Sequence, residues 1–377
     1  MQDEYTGVHS IENLREIFLK QNAAKVFLVT GRKSFGLSGA ENYFKRLSDE
    51  FEFIQYNDFS ENPKYEQLEK GINLYRDSDC DIIVAAGGGS VIDTAKLINV
   101  LSAQEKDPAK YITGEEVISN KGKHFTAIPT TSGAGSEATH FAVVYMDREK
   151  FSLAHELILP DTVIIDPELT YSLSPRHTAL SGIDAFSQAV ESYWSVNSTD
   201  ASRTFAEEAI KLITGNLNKA VNNPDPECRI SMSTAANLAG KAINITKTTA
   251  PHAVSYSMTS HYGVPHGQAV SYTLGDFLVY NYNVNEDDIN DKRGVSFVKK
   301  TFEELLKILG CNSVYDGREK IKQLMTGINL KTNLKDYGIS SEEDIRFIAD
   351  NVNTERLGNN PRSLTNSELL SILRNNL

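Results

Sequence analysis

Cysteine is scarce in this sequence: Cys80, Cys228 and Cys311 are odd in number, far apart, and form no CxxC pair. That excludes a disulfide scaffold or a cysteine-built zinc knot, and leaves reduced structural thiols in a chain expected to be cytoplasmic. Positive charge is short as well, with 38 Lys and Arg against 50 Asp and Glu and a net charge of -12. A field of that sign repels phosphate backbones and anionic headgroups, so neither nucleic acid nor a membrane is an expected partner. No apolar run approaches the ~20 residues of a bilayer span, and Met1-Gln2-Asp3-Glu4-Tyr5 is acidic where a signal peptide is basic. Glycine (24) and proline (11) are too few among 377 residues for a disordered or fibrous chain. The remainder, 40% hydrophobic and 23% charged, is ample for a large buried core.

From Lys25 to Thr131 short β-branched or aromatic runs alternate with amphipathic stretches, the mark of repeated βα units. Lys25–Thr30, Phe51–Tyr56, Asp81–Ala86 and His124–Thr131 read as strands, with helices near 39–50, 65–79 and 90–104. Right-handed crossovers then give a Rossmann-like, doubly wound, mostly parallel α/β sheet. Phe141–Met146 and Thr162–Asp166 are expected as further strands in a hairpin extension. Beyond Ser174-Pro175 the alternation stops, and helical periodicity covers Thr178–Ser195, Ala201–Asn222, Cys228–Asn244, Pro251–Tyr262, Gly267–Asn281, Phe297–Leu309 and Ser340–Val352. The expected organisation is an α/β domain over 1–175 and an all-α domain over 176–377. Asn197-Ser198-Thr199 fits a glycosylation sequon but reads as a helix-capping turn.

Gly87-Gly88-Gly89-Ser90 leaves a strand and opens a helix, where backbone N–H groups and the helix dipole can meet a pyrophosphate. Close packing is the other reading of such a turn. Ser90 with Asp93 reads as a capping box. A second segment, Ile128 to Glu137 (IPTTSGAGSE), clusters hydroxyls and glycines at the end of a strand, where sheets of this kind bind ligands. Three of the eight histidines fall between Pro251 and His266. Gly263-Val264-Pro265 breaks the helix there, so the chain can fold back and bring His252 and His266 together. Asp184 and Gln188, i and i+4 on one helix face, add a carboxylate and an amide oxygen. One Asp with two His suits a catalytic Zn²⁺ or Fe²⁺ with an open position, or else these are ordinary packed histidines and a capping aspartate.

Gly87–Lys96 (GGGSVIDTAK), Ile128–Thr139 (IPTTSGAGSEAT), Gly182-Ile183-Asp184-Ala185, His252 with His266-Gly267, and Asn360–Thr365 (NPRSLT) together resemble the iron-containing (group III) alcohol dehydrogenase family. The runs Ser187–Thr199 and Thr246–His252 are similar to its phosphonoacetaldehyde reductase branch. The resemblance implies a dehydroquinate synthase-like architecture, with the active site between the two domains. It implies metal ligands at Asp184, His252 and His266, with Gln188 at the position usually held by a fourth His. Tyr256 stands where many relatives have a second His thought to relay protons. The dinucleotide would be lined by Gly87, Gly88, Gly89, Ser90, Asp93, Thr130, Thr131, Ser132, Thr139, Lys150 and Leu169. Gly31 replaces the acidic residue that binds the adenosine ribose in many NAD-preferring relatives, and Arg32 and Lys33 follow it. This favours NADPH over NADH, unless the two cations are a solvated turn. Lys247, Thr248 and Thr249 resemble an anion site suited to a phosphonate, the other reading for Lys247 being an exposed loop lysine.

The implied activity is metal-dependent (Fe²⁺ or Zn²⁺), NAD(P)H-linked reduction of a small aldehyde, phosphonoacetaldehyde to 2-hydroxyethylphosphonate in first place. A general short-chain alcohol or diol dehydrogenase is the alternative within the family. A non-catalytic dinucleotide-binding protein with a decayed metal site is the alternative outside it. The expected partner is a small-molecule aldehyde or alcohol, with a homodimer as the candidate assembly.

Overall fold

A computed structural model describes residues 2–146, 149–352 and 354–376. The chain divides into two units, Met1–Leu173 and Ser174–Leu377.

The first unit is built on a six-stranded sheet with every neighbour parallel: β1 (Asp3–Thr6), β2 (Lys25–Thr30), β3 (Glu52–Tyr56), β4 (Ile82–Gly87), β5 (His124–Pro129) and β8 (Thr162–Ile165), in the order β1-β8-β5-β4-β2-β3. Its central strands are apolar on both faces because helices cover both. Phe27, Val29, Ile83 and Ala85 enter one core, while their neighbours Val26, Leu28, Ile82 and Val84 enter the other, as a side-chain period of two requires. Chain order reverses between adjacent β2 and β4, since β2 leads outward to β3 and β4 leads the other way to β5. A crevice outside the strand carboxyl ends at such a point is where open α/β sheets take ligands.

Two strand expectations need correction. Thr162–Ile165 joins the main sheet between β1 and β5, and the hairpin is formed instead by β6 (Phe141–Met146) and β7 (Glu149–Ala154), antiparallel. β1 was unforeseen: Asp3-Glu4-Tyr5-Thr6 is an edge strand, mostly exposed, so it lacks the apolar signature of its neighbours.

The second unit is helical. Pro175–Trp194 starts with Pro at N1 and Ser174 accepting the His177 N–H. Asp200–Asn222 is closed by a Thr199–Ser202 capping box, the expected role of the Asn197–Thr199 turn. Pro226–Thr246, Ala250–Tyr262, His266–Tyr282 and Val295–Leu309 follow, around one continuous apolar core. Among the described residues no helix is long and apolar enough to cross a membrane.

Candidate active site

Three polar side chains leave one face of the Pro175–Trp194 helix: Asp184, Gln188 and Glu191, at i, i+4 and i+7. Burying such a row is costly unless each group has a partner. Gln188 is partnered by Asp184, Glu191 by the start of the Ala250–Tyr262 helix, and Asp184 faces histidines on the two helices that Gly263 separates. Gly263 has φ 67 and terminates Ala250–Tyr262, and Val264-Pro265 turns the chain so that His266 opens the next helix. Gly267 lets that helix reach the Asp184 helix: a Cβ there would overlap the Leu180 carbonyl and lie 2.9 Å from Asp184 Cβ. His252 Nε2 consequently stands 3.6 Å and His266 Nε2 4.0 Å from Asp184 Oδ1.

Those separations are too long for hydrogen bonds. They are close to the roughly 3.4 Å expected between two ligands that each lie about 2.1 Å from a shared tetrahedral ion. Asp184, His252 and His266 each offer one ligand atom, all within 4.8 Å of one another. His261, the third histidine of the cluster, is exposed and packs edge-on against Phe347.

Behind His252 lies a residue that sequence reasoning passed over. Glu191 is fully buried. Its Oε2 takes the His252 Nδ1 side, and its Oε1 accepts the Thr249 N–H (2.9 Å), the Thr249 hydroxyl (2.9 Å) and the His252 N–H (3.3 Å). Thr249 Oγ1 in turn accepts the Trp194 indole N–H at 2.9 Å, and the indole stacks on Phe302. Glu191 thus caps the start of the Ala250–Tyr262 helix, commits His252 Nδ1, and leaves Nε2 toward Asp184. Burial alone would disfavour a charged His252, but the Glu191 and Asp184 carboxylates outweigh it and push its pKa up to about 10. The one hint in the sequence is that Glu191 is seven residues after Asp184, on the same helix face.

The neighbouring residues divide by their contacts. Gln188 Nε2 donates to Asp184 Oδ2 at 3.2 Å and so orients that carboxylate. The Tyr256 ring stacks on His266, centroids 6.1 Å apart. The Thr249 hydroxyl is committed to Glu191 and Trp194, which corrects its expected role: it supports His252 and has no donor left for a substrate. Thr248 is buried with its carbonyl accepting from Asn359, while Lys247 is half-buried.

In the first unit, Gly31, Gly87–Ser90, Thr130–Ser132 and Leu169 follow β2, β4, β5 and β8, all at the carboxyl edge of the sheet. Gly31 and Gly88 flank the reversal of strand order. The packing at the glycines is close: a Cβ on Gly88 would lie 3.2 Å from Thr131 Cγ2, and one on Gly89 2.8 Å from Ala134 Cβ. The two glycine-rich segments therefore rest on each other. Leu169 lines a cavity of about 430 Å³ that His9, Tyr43 and Arg46 also line.

The expected Ser90–Asp93 capping box is absent. The N-cap is Gly88 with no side-chain bond; Ser90 Oγ donates to the Glu61 carbonyl, and Asp93 Oδ2 accepts the Val143 N–H. Asp93 and Lys96 instead fasten the segment after β5. The buried Lys96 ammonium donates to Thr139 O (2.7 Å), Thr139 Oγ1 (3.1 Å) and Phe141 O (2.9 Å), and burial brings its pKa down to about 8 against the pull of Asp93 and Glu137. Thr139 is therefore held by Lys96, and Asp93 serves β6; burial pushes the Asp93 carboxyl pKa up, and Lys96 and Lys150, on β7, pull against it. Arg32 pairs with Asp58 and donates to the Asn57 carbonyl, which leaves Lys33 as the cation beside Gly31.

Comparisons with known proteins place the chain in a family. The iron-containing alcohol dehydrogenase profile matches residues 3–167, and the Fe-containing alcohol dehydrogenase family C-terminal profile matches 178–377. Long-chain-alcohol dehydrogenase 1 of Geobacillus thermodenitrificans is 31% identical over 84% of this chain and 80% of its own. Phosphonoacetaldehyde reductase of Streptomyces viridochromogenes is 31% identical over 78% of this chain and 75% of its own. The crystal structure of sulfoacetaldehyde reductase from Bifidobacterium kashiwanohense in complex with NAD+ superimposes with a TM-score of 0.89 at 29% identity, covering 100% of this chain and 96% of that one. With matching profiles across both units, the chain belongs to the iron-containing alcohol dehydrogenase family and is an oxidoreductase acting on the alcohol–carbonyl pair.

Proposed function

We propose that this chain is a metal-dependent, NAD(P)H-linked aldehyde reductase, and that its preferred substrate carries an anionic head, with reduction of phosphonoacetaldehyde to 2-hydroxyethylphosphonate as the leading reaction. The observation that carries the metal-dependent part is the convergence of Asp184, His252 and His266, with Glu191 behind His252. One carboxylate and two imidazoles suit a divalent ion with a position open for substrate. When bound, such an ion supplies Lewis acidity at the carbonyl oxygen and the reduced nicotinamide supplies the hydride.

The chain's own residues do the rest. Asp184 and the two Nε2 atoms would hold the ion, Gln188 steadies Asp184, and Glu191 engages His252 Nδ1 so that Nε2 faces Asp184. The proton that the product oxygen needs comes from Tyr256, stacked on His266, from water, or from the ribose hydroxyls of the dinucleotide. The segments after β2, β4 and β5 receive the dinucleotide. Gly31 offers no carboxylate to oppose a 2′-phosphate, but Arg32 is already paired, so NADPH is favoured only through Lys33.

The substrate part rests on Lys247, a half-buried cation in a chain of net charge -12, and on relatives named for phosphonate- and sulfonate-bearing aldehydes. The test compares kcat/KM for phosphonoacetaldehyde and propanal. One charge-assisted hydrogen bond made fully in the transition state gives about tenfold or more in favour of the former. Equal values would leave a general alcohol dehydrogenase in place of the phosphonate assignment.

A further inference from the structure

Lys247 has φ 57 and ψ 177. The positive-φ residues His9 and Asp79 sit in the ordinary left-handed region, with ψ 13 and 41, but ψ 177 puts Lys247 in a region populated essentially by glycine. Eight glycines of this chain do occupy positive φ. A lysine in a conformation that glycine adopts without steric strain points to a need for its side chain.

The surroundings hold this conformation from every side. The Lys247 N–H donates to Ile243 O at 2.8 Å, and the Thr246 hydroxyl lies 2.8 Å from Lys247 O. Thr246 O accepts from Ser195 Oγ (3.2 Å) and Asn197 Nδ2 (3.4 Å). Thr248 O accepts from Asn359 Nδ2 at 3.0 Å, and Asn359 Oδ1 accepts from Asn197 Nδ2 at 3.0 Å. The next residue, Thr249, is pinned to Glu191 behind His252. Asn197 and Asn359 therefore form a clamp that grips the peptides on both flanks of Lys247, and Thr249 ties the segment to Glu191.

We infer that Asn359 and Asn197 are specificity-determining positioning residues, which hold Lys247 in a strained backbone conformation so that its ammonium meets the anionic group of the substrate. This rests on the anionic-aldehyde reading above. The step is binding only, and no bond of the substrate changes at this clamp.

The test uses the full-length, metal-loaded enzyme and the variants Lys247→Gly, Lys247→Ala, Asn359→Ala and the double variant Asn359→Ala/Lys247→Gly. Glycine relieves the strain and alanine keeps the Cβ that causes it. Lys247→Gly is expected to melt about 2–4 °C above Lys247→Ala, while both lose the preference for phosphonoacetaldehyde over propanal. Asn359→Ala is expected to raise KM for phosphonoacetaldehyde several-fold more than KM for propanal. In the Lys247→Gly background it should add nothing to that ratio, because it acts through Lys247. Asn197→Ala, which opens the clamp from its other end, serves if Asn359→Ala does not fold. A preference lost in Lys247→Ala without a higher melting temperature for Lys247→Gly overturns this inference and spares the substrate reading. The same holds for an Asn359→Ala effect that persists in the double variant. No preference in the parent enzyme overturns the substrate reading, and the role of the clamp in specificity with it.

Discussion

Alanine at His252 is expected to bring aldehyde reduction down to background. The substitution deletes one of the three proposed metal donors and removes the partner of a fully buried carboxylate, Glu191. Glu191 keeps its bonds from Thr249 but loses the imidazole, so a melting temperature below the parent's should accompany the loss of turnover. His266→Ala removes a second donor from a more exposed position, with the side chain at 36% exposure, and should abolish turnover with a smaller change in melting. Dinucleotide binding, followed by titration of the cofactor's fluorescence, should survive both, because the residues assigned to it belong to the first unit. Near-parental kcat/KM in either variant would mean that the cluster is not the site of the chemistry.

The second large effect is expected at Glu191. Glu191→Gln keeps the size and can still accept from Thr249, but it replaces the charged partner of His252 Nδ1 with a neutral amide. Loss of such an outer partner typically costs 10–100-fold in metal affinity or activity. We expect a drop of about that size in a competition titration with a chelator, and activity that recovers in part when the ion is supplied in excess. A purely structural role would lower the melting temperature and leave metal affinity where it was. Unchanged affinity would reduce Glu191 to a helix cap.

The contrast between Asp184 and Glu191 shows what can be read from a sequence of this kind. Asp184, His252 and His266 stand out because few residue types ligate metals and because Gly263-Val264-Pro265 announces the turn that lets two helices meet. Glu191 does not stand out, since a Glu on a helix is usually solvated, and only the packing of two further helices shows that it is buried. The core strands β2, β4 and β5 were legible from their β-branched runs. Edge strand β1 and the partner of β6 were not, because edge and hairpin strands carry no continuous apolar signature. Ser90 and Asp93 illustrate the opposite error. Their spacing satisfies a local rule, yet the N-cap is Gly88, two residues earlier, and Asp93 is drawn to the Val143 N–H by tertiary structure. Thr249 was placed in the right neighbourhood by sequence and in the wrong role, for its partners Glu191 and Trp194 lie 58 and 55 residues away in the chain.

Metal content measured together with activity tests the central claim most directly. Protein purified without chelators should hold a single divalent ion per chain. Removing that ion should abolish NAD(P)H-dependent aldehyde reduction, and Fe²⁺ or Zn²⁺ should restore it in the parent but not in His252→Ala. Aldehyde reduction that continues undiminished in the stripped protein would contradict the account.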